Sequence, residues 1–360
     1  MPRKIRVLIV DDSALMRKVL KEILMTDKEI EVVGTARDGE DAIEKVNLLE
    51  PDVVTMDINM PVMDGLTSMQ YILNSYPDIQ IIMISSLTAE GAMTTFEALE
   101  LGAFDYVTKP SGTVSANLYV VGREIIQKVK LAYTYANKKN IRDRIIRSKN
   151  NNYNLKKIKE QKAQIESSNN ELSKVVVIGV STGGPSTLME ILPMLPADLE
   201  AAVIIIQHMP PSFTGSFAQR LNEACIIPIT EAKAGDVLQN GRGYLGAGGY
   251  HLVVRGESGV LRLPTSPVTV YMPSVNVTME SVLKTYGGKR VIGVLLTGMG
   301  DDGADAMVKI RQAGGITIAE DESTAVVFGM PREAIQRGGA EIVLPSYKIA
   351  DAIVKAVRNN

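Results

Sequence analysis

A serine between glycines and a histidine after an apolar run have the residue types and positions that nucleophilic catalysis requires. Ser181 lies in VVVIGVSTGGP, and G-x-S-x-G between a strand and a helix is typical of a nucleophile on a tight turn. A glycine-rich turn of this kind also binds phosphate, so the motif alone supports two hypotheses. The chain has two histidines. His208 follows the apolar run AAVIIIQ, whereas His251 lies in the glycine-rich YLGAGGYHLVV, so His208 is the better candidate for a general base.

Two adjacent aspartates could supply the third group of a triad. Asp301 and Asp302 lie in VIGVLLTGMGDDGADAM, between a strand-like run and a helix-like run. A buried aspartate there would hold the imidazole in one tautomer and stabilise its charged form, although either aspartate would also serve as a helix cap. Serine, histidine and aspartate at three strand ends of one sheet favour one shared site over three separate structural roles.

A second set of polar residues, in the first third of the chain, has the composition of a cation and phosphate site. Asp11 and Asp12 follow the first strand-like run, Asp57 follows the third, and Lys109 follows the fifth. Three carboxylates at one sheet edge repel each other and favour a hard divalent ion such as Mg²⁺. The lysine adds a positive charge suited to phosphate.

These residues can meet only in parallel sheets, whose strands end at a common edge. Five short apolar runs alternate with amphipathic stretches in the first part of the chain, and the alternation resumes after residue 172. This pattern predicts two α/β domains with doubly wound, mostly parallel sheets, the first flavodoxin-like and the second Rossmann-like. The glycine-rich stretch 234–263 predicts an antiparallel hairpin added to the second sheet.

A segment rich in Asn, Lys, Ser and Gln separates the two regions. Residues 138–174 contain 11 Lys and Arg and 4 Asp and Glu, a net charge of +7, which leaves −9 on the rest of a chain whose total is −2. Few large apolar residues and no interleaved aromatic residues favour a solvated, partly helical tether over a nucleic-acid contact. We therefore predict a first domain at residues 1–136, a linker at 137–172 and a second domain at 173–360.

Composition limits the chemistry further. One Cys and two His in 360 residues exclude a disulfide framework and metal sites built from several Cys or His, and they fit a reducing cytosol. The N-terminal MPRKIRVLIVDD lacks the apolar core of a signal peptide, and no apolar run approaches the ~18 residues of a membrane helix. We expect a cytoplasmic protein without a membrane span.

The first region resembles the receiver domain of two-component response regulators. The motifs IVDDSALMR, DVVTMDINMPVMDG, IIMISS and DYVTKP carry the match over residues 5–125. The resemblance implies that Asp57 accepts phosphate from a phosphohistidine of a sensor kinase. It also implies that Asp11 and Asp12 hold Mg²⁺ together with Asp57, and that Lys109 contacts the phosphoryl group.

The same resemblance implies a switch next to the phosphorylation site. A hydroxyl at the end of the fourth strand would bind phosphate; Ser85 is the simplest choice, and Ser86 stays open as an alternative. Tyr106 would be the aromatic residue that responds. A cis bond before Pro110 is also expected, since a prolyl bond permits it at low cost.

The second region is similar to the catalytic domain of the chemotaxis protein-glutamate methylesterases, the CheB family, over residues 173–357. The match rests on IGVSTGGP, IIQHMPPSFTGSFAQRLN, LLTGMGDDGADAM and VVFGMPREAI. The resemblance makes Ser181 the nucleophile, His208 the general base and acid, and Asp302 the orienting carboxylate. Thr182 would be a close neighbour of the histidine, and a backbone N–H near Met299 would form part of the oxyanion hole.

Two features depart from the family pattern. Asp301 stands where the family often has asparagine, so a second carboxylate lies beside the orienting one, and the alignment favours Asp302. The basic linker is also long, which bears on how tightly the two domains are coupled.

Together the two resemblances imply a phosphorylation-activated hydrolase. It would remove methyl esters from glutamate side chains of chemotaxis receptors and deamidate some receptor glutamines. The receiver would cover the catalytic face and leave it when Asp57 is phosphorylated. The implied partners are the receptors and a chemotaxis histidine kinase, with no nucleic acid and no cofactor at the esterase site, and we expect a monomer.

Two other classes of protein explain less of the sequence. A DNA-binding response regulator would account for the receiver and the basic linker, but the C-terminal region is too strand-rich and lacks a short helix-turn-helix unit. A nucleotide-binding α/β module would account for the glycines at 179–184, but Ser181 replaces the second glycine of G-x-G-x-x-G. No acidic residue closes a second strand ~20 residues on, as ribose binding would require.

Overall fold

The computed structural model describes residues 3–86, 88–109, 116–146, 172–256 and 258–359, with the backbone alone at 89, 116–120 and 137–146. The chain forms two compact units, one before and one after residues 147–171. Each unit contains its own parallel sheet.

The first sheet is built from five runs rich in Val, Ile and Met, most of them buried, as parallel strands covered by helices must be. The strands are Ile5–Val10 (β1), Ile30–Ala36 (β2), Val53–Asp57 (β3), Gln80–Ser85 (β4) and Asp105–Thr108 (β5). Their order is β2-β1-β3-β4-β5, and all pairs are parallel. The carboxyl ends of β1, β3 and β5 therefore meet at one edge, as the sequence predicts.

The helices of the first unit begin where a short polar side chain can accept a free backbone N–H, as at Ser13, Asp38, Asp64 and Thr88. They are Ala14–Leu24 (α1), Gly39–Leu49 (α2), Gly65–Ser75 (α3), Ala89–Glu100 (α4) and Ala116–Ile146 (α5). Helix α5 includes residues 137–146, so the first part of the predicted linker is helical. Residues 147–171 of that linker lie outside the described part of the chain.

The second sheet has seven strands. They are Lys174–Val180 (β6), Ala201–Gln207 (β7), Ile229–Glu231 (β8), Gly243–Leu245 (β9), Val291–Leu295 (β12), Ile316–Glu320 (β13) and Ile342–Leu344 (β14). The order is β14-β13-β12-β6-β7-β9-β8, with parallel pairing throughout. Strand β6 thus lies at the centre of the sheet, between β12 and β7, and it is the strand that leads into Ser181.

In the described part of the second unit, six α-helices accompany this sheet. They are Gly184–Ile191 (α6), Pro211–Ala224 (α7), Val275–Tyr286 (α8), Ala304–Gln312 (α9), Met330–Gln336 (α10) and Ser346–Arg358 (α11). Helices α6, α7 and α9 each follow a strand of the central trio β6, β7 and β12, so their N-termini lie on the side of the sheet where those strands end.

The glycine-rich stretch 234–263 divides into two parts. Its second half forms the predicted antiparallel hairpin, with Val253–Arg255 (β10) paired to Val260–Arg262 (β11) in a separate two-stranded sheet. Its first half does not join the hairpin, because Gly243–Leu245 pairs in parallel with β7 and β8. A strand of three residues is too short to show the periodicity that would have identified it.

In the part of the chain that the structure describes, none of the helices combines the length and the apolar character that crossing a membrane requires.

Candidate active site

Three neighbouring strands bring the predicted triad residues to one edge of the second sheet. Ser181 directly follows β6 and His208 directly follows β7, while Asp302 lies in the loop between β12 and α9. Because β12, β6 and β7 are adjacent and parallel, all three side chains come from the carboxyl ends of neighbouring strands.

The turn that carries Ser181 is held by backbone hydrogen bonds and requires glycine. The Ser181 N–H donates to the Thr297 carbonyl at 2.9 Å, and the Gly184 N–H donates to the Ser181 carbonyl at 2.8 Å. Gly183 has a φ of +75°, and a Cβ there would lie 2.5 Å from Val326 Cβ. A side chain at 183 would therefore be strained as well as blocked. Ser181 itself is 8% exposed.

His208 is joined to Asp302 through one ring nitrogen. Nε2 lies 2.9 Å from Asp302 Oδ2, and both side chains are nearly buried. A carboxylate oxygen can only accept, so Nε2 carries the proton and Nδ1 keeps its lone pair. Nδ1 is buried and has no hydrogen-bond partner in the described structure, so it is the nitrogen free to accept a proton.

Asp302 lies at the N-terminus of α8, where several donors surround its carboxylate. Oδ2 also accepts the Val275 N–H at 2.7 Å, and Oδ1 accepts the Ser274 hydroxyl at 2.8 Å and the Asn276 N–H at 3.0 Å. Burial raises the pKa of Asp302, but the hydrogen bond from His208, the attraction of the protonated form of that ring and these backbone donors outweigh it, so the pKa lies below the usual value.

This lowered pKa has a defined effect on stability. Because the carboxyl of Asp302 is more acidic in the folded chain than in the unfolded chain, its ionised form stabilises the fold above the unfolded pKa. That contribution is lost as the pH falls through the lower, folded pKa. Asp302 therefore stays ionised at neutral pH.

Asp301 points elsewhere. Its side chain is 61% exposed, and its Oδ2 lies 2.6 Å from an Arg337 guanidinium nitrogen. Arg337 also pairs with Asp305 at 2.7 Å. Of the two adjacent aspartates, the structure thus brings Asp302 to the imidazole and leaves Asp301 in a surface ion pair.

His251 does not meet Ser181 or His208 through a described hydrogen bond, but it supports the carboxylate indirectly. The ring is fully buried; Nε2 lies 2.7 Å from the Pro267 carbonyl, and Nδ1 accepts the Ser274 N–H at 3.2 Å. Ser274 in turn donates its hydroxyl to Asp302. With both nitrogens occupied, His251 acts as a structural support for Ser274 and not as a base.

Tyr271 covers the imidazole of His208. The two rings are parallel to within 4°, and their centroids are 4.1 Å apart. Sequence reasoning missed this residue, because a tyrosine in a loop far along the chain gives no local sign of the ring it will contact. Stacking on Tyr271 limits rotation of the imidazole about its side-chain bonds. Such a rotation would break the hydrogen bond to Asp302.

The remaining predicted residues of this site are Thr182 and Met299. Thr182 is buried, and its carbonyl accepts the Thr297 hydroxyl at 2.9 Å; that Thr182 neighbours His208 stays a prediction. Met299 follows Gly298, whose N–H donates to Val327 and whose carbonyl accepts from Met330. An oxyanion contact from the backbone near Met299 stays a prediction.

The first unit collects its carboxylates at the carboxyl ends of β1 and β3. Oxygens of Asp11, Asp12 and Asp57 lie within 4.8 Å of one another. Lys109 Nζ lies 2.7 Å from Asp57 Oδ2 and 3.1 Å from Asp11 Oδ2. Burial and the charges of Asp11 and Asp12 raise the pKa of Asp57 more than Lys109 lowers it.

This cluster suits a hard divalent cation. Three carboxylates with oxygens this close are the ligand type that Mg²⁺ prefers, and Lys109 is the positive partner that contacts two of them. The donor set of the first unit therefore fits Mg²⁺.

The switch residues are less clearly placed. The Ser85 hydroxyl is buried and contacts the Gly91 carbonyl at 3.2 Å and Thr95 Oγ1 at 2.8 Å, whereas Ser86 Oγ lies 3.1 Å from Thr88 Oγ1. The choice between the two serines stays a prediction. Tyr106 is buried, with Lys128 Nζ 5.1 Å from its ring centroid. The predicted cis bond before Pro110 lies outside the described residues.

Replacing Tyr271 tests whether its stacking on His208 affects the rate at which Ser181 reacts. Stacked aromatic pairs contribute about 0.5–1.5 kcal/mol, so Tyr271→Leu should slow the labelling of Ser181 by a fluorophosphonate about two- to tenfold. Tyr271→Phe keeps the ring and should label at close to the wild-type rate. Equal labelling rates for the leucine variant and wild type would contradict a role for the stack.

Two protein families match this chain. Residues 7–116 match the response regulator receiver domain, and residues 176–353 match the CheB methylesterase family. A protein-glutamate methylesterase/protein-glutamine glutaminase from Caldanaerobacter subterraneus subsp. tengcongensis is 53% identical over 365 residues, which cover 99% of this chain and 98% of that protein. One from Carboxydothermus hydrogenoformans is 54% identical over 360 residues and covers 99% of each.

Among solved structures, the catalytic domain of the Thermotoga maritima CheB methylesterase is 40% identical and covers 51% of this chain and 98% of that domain, with a TM-score of 0.49. The identity to full-length relatives extends through both matched regions. The chain therefore belongs to the CheB family of protein-glutamate methylesterases/protein-glutamine glutaminases, in which a receiver domain precedes the methylesterase domain.

Proposed function

We propose that this protein hydrolyses methyl esters on glutamate side chains of chemotaxis receptors, and that phosphorylation of its receiver domain activates this hydrolysis. The observation that carries the proposal is the His208–Asp302 hydrogen bond at the end of the two strands that flank the Ser181 strand. In a chain of this family, that arrangement supplies a nucleophile, a base and an orienting carboxylate.

The reaction begins when Ser181 Oγ attacks the ester carbonyl carbon and its proton passes to His208 Nδ1. Asp302 accepts the hydrogen bond from Nε2 and stabilises the imidazolium that forms. The oxyanion of the tetrahedral intermediate is held by backbone N–H groups, among which the one near Met299 is the predicted donor.

Collapse of this intermediate completes the first half of the reaction. Nδ1 returns the proton to the departing methoxide, methanol leaves, and the glutamyl group remains esterified to Ser181. Water then attacks the acyl-enzyme with the same base, which releases the glutamate carboxylate and restores the serine.

The same groups support deamidation of glutamine. An amide and an ester form the same kind of tetrahedral intermediate, and Nδ1 would then protonate the amide nitrogen, which leaves as ammonia when the C–N bond breaks. The matched relatives are named for both activities, so we propose glutaminase activity toward receptor glutamines here as well.

For the receiver domain we propose that Asp57 accepts a phosphoryl group from a chemotaxis histidine kinase. Lys109 is close enough to Asp57 to contact the group once it is attached. Mg²⁺ held by Asp11, Asp12 and Asp57 would offset the charge of the carboxylates and of the incoming phosphoryl group.

We further propose that the unphosphorylated receiver inhibits the catalytic domain and that phosphorylation removes this inhibition. The receptors and the kinase that the proposal requires imply a cytoplasmic location. The catalytic steps use side chains of one chain, which suits a monomer.

Replacing the nucleophile tests the reaction directly. Ser181→Ala removes the oxygen that forms the acyl-enzyme, and loss of a triad member typically costs ~10⁴-fold or more in rate. We expect methanol release from methylated receptor to become undetectable, while phosphate incorporation at Asp57 persists. Methanol release near the wild-type rate would refute the proposed nucleophile.

The two adjacent aspartates offer a matched pair of variants. Asp302→Asn loses the charge that stabilises the imidazolium and should lower kcat by on the order of 10³- to 10⁴-fold. Asp301→Asn alters only a surface ion pair and should stay within about twofold of wild type, because exposed pairs contribute little. The assignment fails if the two variants lose activity to the same degree.

Asp57→Asn tests the regulation. Without the acceptor carboxylate, a phosphodonor should no longer change the rate of methanol release, whereas it accelerates the wild-type protein. Deleting residues 1–172 should raise the rate in the absence of phosphodonor, because the inhibiting domain is gone. A lower rate after deletion would count against inhibition by the receiver but leave the esterase reaction intact.

A further inference from the structure

One buried side chain joins the backbone of the nucleophile to the backbone of the base. Gln207 is the last residue of β7 and is 2% exposed. Its Nε2 donates to the Ser181 carbonyl at 3.0 Å and to the His208 carbonyl at 3.0 Å. Two carbonyl oxygens can only accept, so the amide nitrogen must face them and the orientation of the side chain is fixed.

These two hydrogen bonds lie where the sheet stops holding the strands together. Val180 pairs with Gln207 in the register of β6 and β7, and the His208 N–H donates to the Val180 carbonyl at 3.1 Å. Beyond that bond the chain leaves the sheet on both sides. The Gln207 amide then continues the connection between the two loops, where no strand pairing fixes their separation.

The sequence of the nucleophile turn makes room for this amide. A Cβ on Gly184 would lie 2.1 Å from Gln207 Oε1, closer than any two such atoms approach. Oε1 is buried and has no hydrogen-bond partner in the described structure. The glycine at 184 therefore keeps space for Gln207, and the amide is held by its two bonds from Nε2.

We propose that Gln207 is a positioning residue that sets the distance between Ser181 and His208, and this inference rests on the proposed function of the same site. Gln207 touches neither the substrate nor the reacting atoms. Gln207 affects the rate because displacing a nucleophile from its base by ~1 Å can slow the reaction about 10²-fold.

Two variants separate positioning from general stability. Gln207→Leu keeps most of the volume but removes both hydrogen bonds, so kcat should fall by about ten- to a hundredfold while KM stays unchanged. Gln207→Glu keeps the shape but presents a carboxyl to two carbonyl oxygens. Burial beside two carbonyl oxygens would raise the pKa of that carboxyl. When protonated it can still donate one hydrogen bond, and when ionised it can donate none.

The pH dependence of the Gln207→Glu variant therefore serves as an internal control. Below its raised pKa it should retain part of the activity, and its rate relative to wild type should fall reversibly as the pH rises. Gln219→Glu, which alters an exposed glutamine on α7, should keep the wild-type pH profile. Circular dichroism at each pH ensures that only folded protein is compared.

Methanol release from methylated receptor and labelling of Ser181 by a fluorophosphonate should be measured on the full-length chain. Positioning predicts that both rates fall in the folded leucine variant and that both follow the altered pH profile in the glutamate variant. A folded leucine variant within about twofold of wild type, or a glutamate variant with the wild-type pH profile, would overturn the inference. If wild type labels but releases no methanol, the proposed substrate is wrong, and the labelling rates still test Gln207.

Discussion

Parallel pairing of β6 with β12 on one side and β7 on the other is the constraint on which the catalytic unit depends. Neighbouring strands lie about 4.8 Å apart, and parallel strands end at the same edge, so three residues distant in sequence arrive within reach of one another. Backbone hydrogen bonds between these strands continue one residue beyond the strand ends. The Ser181 N–H continues the ladder to β12, and the His208 N–H continues it to β6. These two backbone hydrogen bonds position the first residue after β6 and the first residue after β7.

In both units the candidate site lies at the carboxyl edge of the parallel sheet, but the charges around the aspartate differ between the two sites. In the first, Asp57 lies near Asp11 and Asp12 with Lys109 as the positive partner, and burial is the main cause of its raised pKa. In the second, Asp302 is surrounded by donors, and its pKa is lowered. The first site is suited to binding an ion and a phosphoryl group, whereas the second is suited to holding one imidazole in place.

Much of this organisation could be predicted from the sequence, for reasons that differ between features. The strands β1, β6 and β7 are predominantly apolar, and Ser181 and His208 directly follow the last two. The sequence analysis does not predict β8, because three residues show no period, and it places β9 in the hairpin, whereas β9 pairs in parallel with β7 and β8. Gln207 could have been identified from the sequence, because it is a polar residue at the end of an otherwise apolar strand and directly precedes the candidate base.

Other features of the site have no local sign in the sequence. Asp301 and Asp302 are alike in type and neighbours in the chain, and only the fold shows that one pairs with Arg337 and the other with His208. The contacts of Tyr271 and Ser274 join segments far apart in the chain. Such contacts depend on the path of loops, which residue patterns within a segment do not determine.

The position of β6 between β7 and β12 also bears on how the chain folds as it is made. Strand β7 follows β6 closely, so those two strands can pair early, but β12 is synthesised much later. Until then the strand destined for the centre of the sheet has an unpaired, apolar edge of the kind that invites aggregation. The ribosome therefore delivers Ser181 and His208 long before Asp302. A nascent chain therefore contains the proposed nucleophile and base but completes the proposed triad only after β12 and Asp302 have been synthesised.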